Sequence, residues 1–146
     1  MGETMNLERP NSIPPLVWRL MEARGLHDSL KRDKLLKSSL KDMRDPLSLR
    51  GADIACERFA QALRTQEKIC VYGDFDLDGT SGLALSVDAL QKMGFKNVQY
   101  YQPKRLSEGY GVHAHAVEKL HEEGVSLIFT VDVGVTAIEA VDRANE

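Results

Sequence analysis

An α/β fold with a parallel sheet, preceded by a helical region, is what this sequence predicts. From residue 68 onward, short apolar runs alternate with helical patterns, the mark of βαβ units. The runs ICVY and LIFTV are continuous rather than alternating, as in strands covered on both faces. Three such strands are few for an open sheet, so a further strand is expected after Glu146.

The elements follow in order. Ser12 is expected to cap a first helix, with Pro14 and Pro15 in its opening turn. Leu16, Trp18, Leu20 and Met21 stand at helical spacing along it, and Gly25 closes it. A second helical stretch is predicted over 29–43, with Leu30, Leu35, Leu36 and Leu40 apolar, until Asp45-Pro46 breaks it. A third helix is predicted over 52–64, with Ala55, Phe59, Ala62 and Leu63 on one face. Strands are then expected at 68–72, 98–102 and 127–131. Helices are expected at 80–93, 112–123 and 136–145, with Gly94 and Gly124 ending the first two. Residues 103–111 read as a loop. The organisation expected is a helical lead-in over 1–66 and the sheet domain over 67–146.

Composition is that of a globular protein, 42% hydrophobic and 28% charged. No apolar run approaches the ~20 residues that span a bilayer. The polar N-terminus lacks a signal peptide's apolar core, so a cytoplasmic location without membrane contact is expected. Cys56 and Cys70 make neither a disulfide framework nor a zinc site and are expected to be small buried hydrophobes. The net charge of −3 argues against a generally basic nucleic-acid-binding protein. Its distribution is uneven, +3 over residues 1–50 and −6 over 51–146. The bases at 31, 32, 34, 37, 41 and 44 are either a solvated face or a patch facing nucleic acid.

The chemistry concentrates where strands end, which is where open α/β sheets bind ligands. The first strand runs into Gly73-Asp74-Phe75-Asp76-Leu77-Asp78-Gly79, and the third into Asp132. Two unit charges 4 Å apart repel by about 4 kcal/mol at an effective dielectric of 20. One Asp is an ordinary helix cap, whereas three within five residues call for a counter-charge. A hard divalent cation, Mn²⁺ or Mg²⁺, supplies it. A capped, solvated turn is the alternative. Gly73 and Gly79 permit close backbone approach there. The residues of an EF-hand loop and of a P-loop are misplaced or absent.

These residues also carry a family resemblance. VYGDFDLDGT at 71–80 resembles the first signature of the DHH phosphoesterases in its RecJ form. Pro103-Lys104-Arg105 followed by Glu108-Gly109-Tyr110-Gly111 is similar to a P-x-R…EGYG segment of RecJ proteins. Thr130-Val131-Asp132-Val133-Gly134-Val135 resembles the second DHH signature, and Ile13-Pro14-Pro15-Leu16, Arg24-Gly25 and Asp45-Pro46-Leu47 resemble the RecJ lead-in. The resemblance covers nearly the whole chain. It implies the Rossmann-like parallel sheet of a DHH domain and a two-metal phosphodiesterase that degrades single-stranded DNA from the 5′ end in recombination and repair. By position it implies Asp76 and Asp78 as metal ligands, one for each ion, Asp132 as the bridging ligand, and Asp74 as a nearby carboxylate. Arg105 is a candidate phosphate contact, since its fork suits phosphate, with an ion pair to Glu108 as the alternative. Tyr110 is a candidate nucleic-acid contact.

Three departures qualify the likeness. Tyr72 stands where some members place a metal-binding His. Val133 replaces the Cys or Asn commonly found after the second-signature Asp. The Asp-His-His signature is expected only beyond Glu146, with a second domain after it. His113, His115 and His121 lie on one predicted helix, are expected at the surface, and do not replace the missing pair. The chain alone is therefore expected to bind Mn²⁺ weakly and to cleave little. Two other readings remain: a DHH phosphoesterase of short oligonucleotides or cyclic dinucleotides, and a catalytically silent scaffold. The lead-in counts against the first and the retained acids against the second. An unpaired sheet edge makes self-association possible.

Overall fold

The computed structural model describes residues 9–146. The chain forms two compact units that divide at Leu49/Arg50, earlier than the boundary after residue 66.

Within the first unit, helix α1 (Pro15–Ala23) opens on Pro14 as the N-cap, and no side chain caps it. Ser12 does not take the role expected of it, because the fixed φ of two prolines already sets the first turn. Trp18 and Met21 are buried while Leu16 and Leu20 are exposed. Gly25, at φ +71°, ends the helix, with Leu26 N–H donating to the Met21 carbonyl at 3.0 Å. Asp28 caps α2 (Ser29–Leu36) by accepting from Lys31 N–H at 2.9 Å. This helix is shorter than the predicted 29–43. Ser38 bonds back to the Leu35 carbonyl, and Ser39 N–H donates to Asp42 Oδ2 at 2.8 Å. Such local bonds compete with helix, and a 3-10 turn, Leu40–Asp42, replaces it. Arg32 leaves the expected solvated face: it is 7% exposed, lies 4.6 Å over the Trp18 ring, and donates to the Leu26 and His27 carbonyls. The other five bases are exposed.

The second unit carries α3 (Ala52–Thr65), β1 (Ile69–Gly73), α4 (Leu77–Lys92), β2 (Val98–Tyr101), α5 (Ala114–Glu122), β3 (Leu127–Val131) and α6 (Ile138–Asn145). The three strands are parallel in the order β2-β1-β3. Every residue of central β1 is buried. Its alternate residues feed two cores. Ile69 and Val71 pack with Ala62, Leu83, Leu90 and Phe95 under α3 and α4. Cys70 and Tyr72 pack with Ala116, Leu120, Val125 and Val133 under α5. Each fully buried Leu, Ile or Val contributes roughly 1.5–3 kcal/mol. Phe59 joins α3 to this core, edge-on to Phe129 at 5.3 Å and Phe95 at 6.3 Å. That packing places α3 with the sheet. β2 and β3 flank β1 and are only half-buried.

Cys70 is buried as expected, and burial pushes its thiol up to about 12. Cys56 is exposed, contrary to expectation: α3 buries only the face that carries Phe59, Ala62 and Leu63. Ala55, expected on that face, is also exposed. No helix among the described residues is long and apolar enough to cross a membrane.

The strand order positions the site. The chain leaves β1 for β2 on one side, then returns across to β3 on the other. The carboxyl ends of β1 and β3 therefore flank the point where strand order reverses, the crevice in which such sheets bind ligands.

Candidate metal centre

The acid loop between β1 and α4 is set by close packing. A Cβ on Gly79 would lie 2.5 Å from the Asp74 carbonyl oxygen, and one on Gly73 would lie 2.9 Å from the Gly79 oxygen and from Leu83. A Cβ on Gly82 would meet Val131 Cγ1 at 2.5 Å. Helix α4 thus presses directly on the ends of β1 and β3, as the glycines at 73 and 79 predict.

Each acid has a different setting. Asp76 caps α4, its Oδ1 accepting from Gly79 N–H at 2.9 Å. The turn is thus capped by Asp76 and solvated over 76–78, as in the capped-turn alternative, while Asp74 departs from it by being buried. Asp78 is exposed in the first helical turn, where the helix dipole favours negative charge. Asp74 is 1% exposed, and its Oδ1 is buried without a hydrogen-bond partner. An orphaned carboxylate oxygen is costly. Asp132 follows β3 in the left-handed region at φ +58°, a conformation that non-glycine residues adopt at sites which over-determine it.

The register brings these acids together. Gly73 pairs with Val131, so Asp74 and Asp132 are the next residues on strands ~4.8 Å apart. Loss of hydration raises the Asp132 carboxyl above the usual range, and the negative charges of Asp76, Asp78 and Asp74 raise it further. Asp74 and Asp132 thus follow paired residues of neighbouring strands, while Asp76, Asp78 and Asp132 are exposed and Asp74 is buried. Among the described residues, no three His, Cys, Asp or Glu side chains are grouped so as to hold a metal ion by themselves. The donors are hard oxygens, they repel one another, and a buried oxygen lacks a partner. Carboxylate oxygens are the donor type that hard divalent cations prefer.

The segment 103–111 forms the adjoining wall. Arg105 lies over the Phe75 ring at 5.3 Å, and Tyr110 meets the same ring edge-on at 6.4 Å. Phe75 thus joins the acid loop to both candidate nucleic-acid contacts, a role that sequence reading does not assign to it. The alternative partner for Arg105 is otherwise engaged. Glu108 accepts from the Tyr101 hydroxyl, from Lys104 N–H at 2.6 Å, and pairs with His115 Nε2 at 3.1 Å. The Tyr101 and Lys104 bonds, chiefly, hold its carboxyl down at about 2. Among the described residues, Arg105 makes no ion pair with Glu108.

Tyr72 is fully buried. Its ring stacks on Tyr101 at 5.0 Å and its hydroxyl donates to the Gly111 carbonyl at 3.0 Å, while burial pushes it up to about 12. Val133 is core. His115 and His121 are exposed on α5 as expected. His113 differs: it is the N-cap residue, half-buried and stacked on His115 at 5.4 Å. Its Nε2 is buried without a partner. A cleft of about 770 Å³ lies between residues 110–113 and 130–137, lined by Tyr110, His113, Thr130, Asp132 and Val135.

The profile of the DHH family, N-terminal domain, matches residues 68–146. The chain belongs to the DHH family. Among its relatives is the single-stranded-DNA-specific exonuclease RecJ of Haemophilus influenzae, 40% identical over 132 residues, which are 90% of this chain and 22% of that protein. RecJ of Bacillus subtilis is 37% identical over 92% of this chain and 17% of its own length. RecJ of Escherichia coli is 37% identical over 99% of this chain and 24% of its own length. The chain thus spans about a sixth to a quarter of the length of these relatives. Two solved structures are similar. One is of exonuclease RecJ bound to manganese, with a TM-score of 0.59 and 39% identity, covering 64% of this chain and 24% of that one. The other is of RecJ from Thermus thermophilus in complex with Mn²⁺, with a TM-score of 0.59 and 29% identity, covering 90% of this chain and 19% of that one.

Proposed function

We propose that this chain forms the N-terminal part of a RecJ-type exonuclease that hydrolyses single-stranded DNA from the 5′ end, in recombination and repair in the cytoplasm. The observation that carries the reading is the convergence of Asp74, Asp76, Asp78 and Asp132 on adjoining strand ends, beside a wall bearing Arg105 and Tyr110. In this reading residues 1–66 are a lead-in and 67–146 the first part of the DHH domain.

Asp76 and Asp78 would each hold one divalent cation, Mn²⁺ or Mg²⁺, with Asp132 as a ligand shared by both. Asp74 would be a nearby buried carboxylate behind them. When bound, such a pair of cations activates the attacking water and offsets charge building on the phosphate. The chain's own groups do the rest. Arg105, already oriented by the Phe75 face, offers its fork to a phosphate. Tyr110 and Phe75 offer π surface to a base, a contact worth ~1–3 kcal/mol. The cleft beside Asp132 admits the strand end. The 146-residue chain alone binds Mn²⁺ weakly and cleaves little, and an open sheet edge gives it a route to self-association.

The test uses the full-length protein with end-labelled single-stranded DNA of graded length, Mn²⁺ or Mg²⁺, and a chelator control. Metal-dependent release of nucleotides from the 5′ end of long strands is expected. Turnover confined to dinucleotides or cyclic dinucleotides would move the function to small substrates. Absence of both cleavage and Mn²⁺ binding would leave a scaffold.

A further inference from the structure

The acid loop is held from inside by Gly79 and by the Asp76 cap. From outside, one side chain reaches it. Gln102, immediately after β2, donates through Nε2 to the Asp74 carbonyl oxygen at 2.7 Å and to Thr80 Oγ1 at 2.7 Å. These two acceptors lie at either end of the acid loop. Among the described residues, no other side chain from outside 74–80 hydrogen-bonds to it. We infer that Gln102 is a positioning residue, which clamps the two ends of the acid loop and so fixes the carboxylates for the cation.

The chemistry suits an amide and little else. A primary amide nitrogen carries two N–H donors, one for each acceptor. A peptide carbonyl only accepts, so the amide orientation at Asp74 is determined by its partner. Glutamate has the same shape but offers only acceptors at neutral pH. It would face the Asp74 carbonyl with lone pairs and add a fifth negative charge to the crevice. The clamp also acts in the right place. Asp74 is buried with an unpartnered Oδ1, so its position depends on the backbone that Gln102 grips. Pro103 follows Gln102 directly and opens the segment bearing Arg105 and Tyr110. The same residue therefore sets the distance between the cation ligands and the phosphate contact. Orienting partners behind metal ligands typically govern 10–100-fold in affinity.

This inference rests on the metal reading of the site, and the experiment separates the two. Gln102→Leu, Gln102→Glu and, on the acceptor side, Thr80→Val are made in the full-length protein. Hydrogen exchange of residues 74–80 is measured without metal, Mn²⁺ affinity is measured by titration, and KM and kcat are measured on single-stranded DNA. Exchange in 74–80 is expected to rise about tenfold in the Gln102 variants, with other core segments unchanged. Mn²⁺ affinity is expected to fall about tenfold in Gln102→Leu and further in Gln102→Glu. Thr80→Val is expected to give a smaller loss that adds little on the Gln102→Leu background. Unchanged exchange, or Mn²⁺ affinity within twofold of the unsubstituted protein, overturns the clamp. A loss shared by every core segment also overturns it, because general destabilisation then explains the effect. If the unsubstituted protein binds no Mn²⁺, the reading of the site itself fails.

Discussion

Gly79 stands against the backbone of Asp74 so closely that a Cβ on it would lie 2.5 Å from the Asp74 carbonyl oxygen and 2.7 Å from its nitrogen. Gly79→Ala gains about 1 kcal/mol of helix propensity, and overpacking against rigid backbone costs about 1–3 kcal/mol. The clash wins because the opposing atoms are main chain and cannot rotate away. We expect a lower melting temperature and weaker Mn²⁺ binding. An alanine variant that melts at or above the parent temperature would show that the loop yields.

Gly82 poses a softer version of the same problem. Its obstruction is Val131 Cγ1, at 2.5 Å, which is a side-chain atom. Gly82→Ala should destabilise, and adding Val131→Ala should recover part of the loss. Strict additivity in a double-mutant cycle would mean that the two positions do not meet.

Asp132→Ala in the full-length protein should reduce cleavage by about 100-fold or more, beyond what partners outside the metals' direct ligands usually cost. Arg105→Ala should act chiefly on KM, and Arg105→Lys should recover little, because a point charge replaces a fork. Activity of the Asp132 variant within a few fold of the parent would remove Asp132 from the metal site.

Glu67 ties α3 to the start of the sheet. It accepts from Arg58 through both carboxylate oxygens, at 3.1 and 2.7 Å, and from Ser126 Oγ at 2.8 Å. Arg58 and then Ser126 hold its carboxyl down from 4.5 to about 2. A lowered folded pKa means the stabilisation is whole above the unfolded value, near 4.5, and fades as pH falls toward 2. Because Arg58 is partly solvated, the bridge contributes about 1 kcal/mol. Glu67→Gln should therefore melt below the parent at pH 7, and the two curves should converge near pH 2. Parallel curves across that window would refute the assignment.

In the first unit, Arg32→Lys keeps the charge but loses the flat stacking on Trp18 and the pair of carbonyl contacts. A cost of about 1 kcal/mol is expected, with a shift in Trp18 fluorescence. An unchanged spectrum and melting curve would mean that the stack is incidental.

What could be read in the sequence, and what could not, divides by range. β3 occupies the predicted residues, and Asp74 and Asp132 directly follow paired strands, because strand ends follow from local pattern. Periodicity also marks α3, though not the exposure of Cys56, because an apolar side chain can sit on either flank of a helical stripe. The stop of α2 at Leu36 came from the Ser38 and Asp42 side chains competing for the backbone, which a hydrophobic pattern does not register. Phe75, Gln102 and His113 escaped for a different reason. Gln102 touches a carbonyl 28 residues away, and Phe75 meets its partners across a loop. No spacing rule encodes such contacts before the strands have paired.

The strand order has a further consequence for how such a site can be enlarged. With β1 in the middle, the row of carboxyl ends behaves like a rail open beyond β3. A parallel strand laid against β3 would deliver its own terminal residues beside Asp132 without disturbing Asp76, Asp78 or the clamp on the other flank. Ligands can be added to such a centre one strand at a time, each new side chain taking its place from hydrogen-bond register instead of from a redesigned loop.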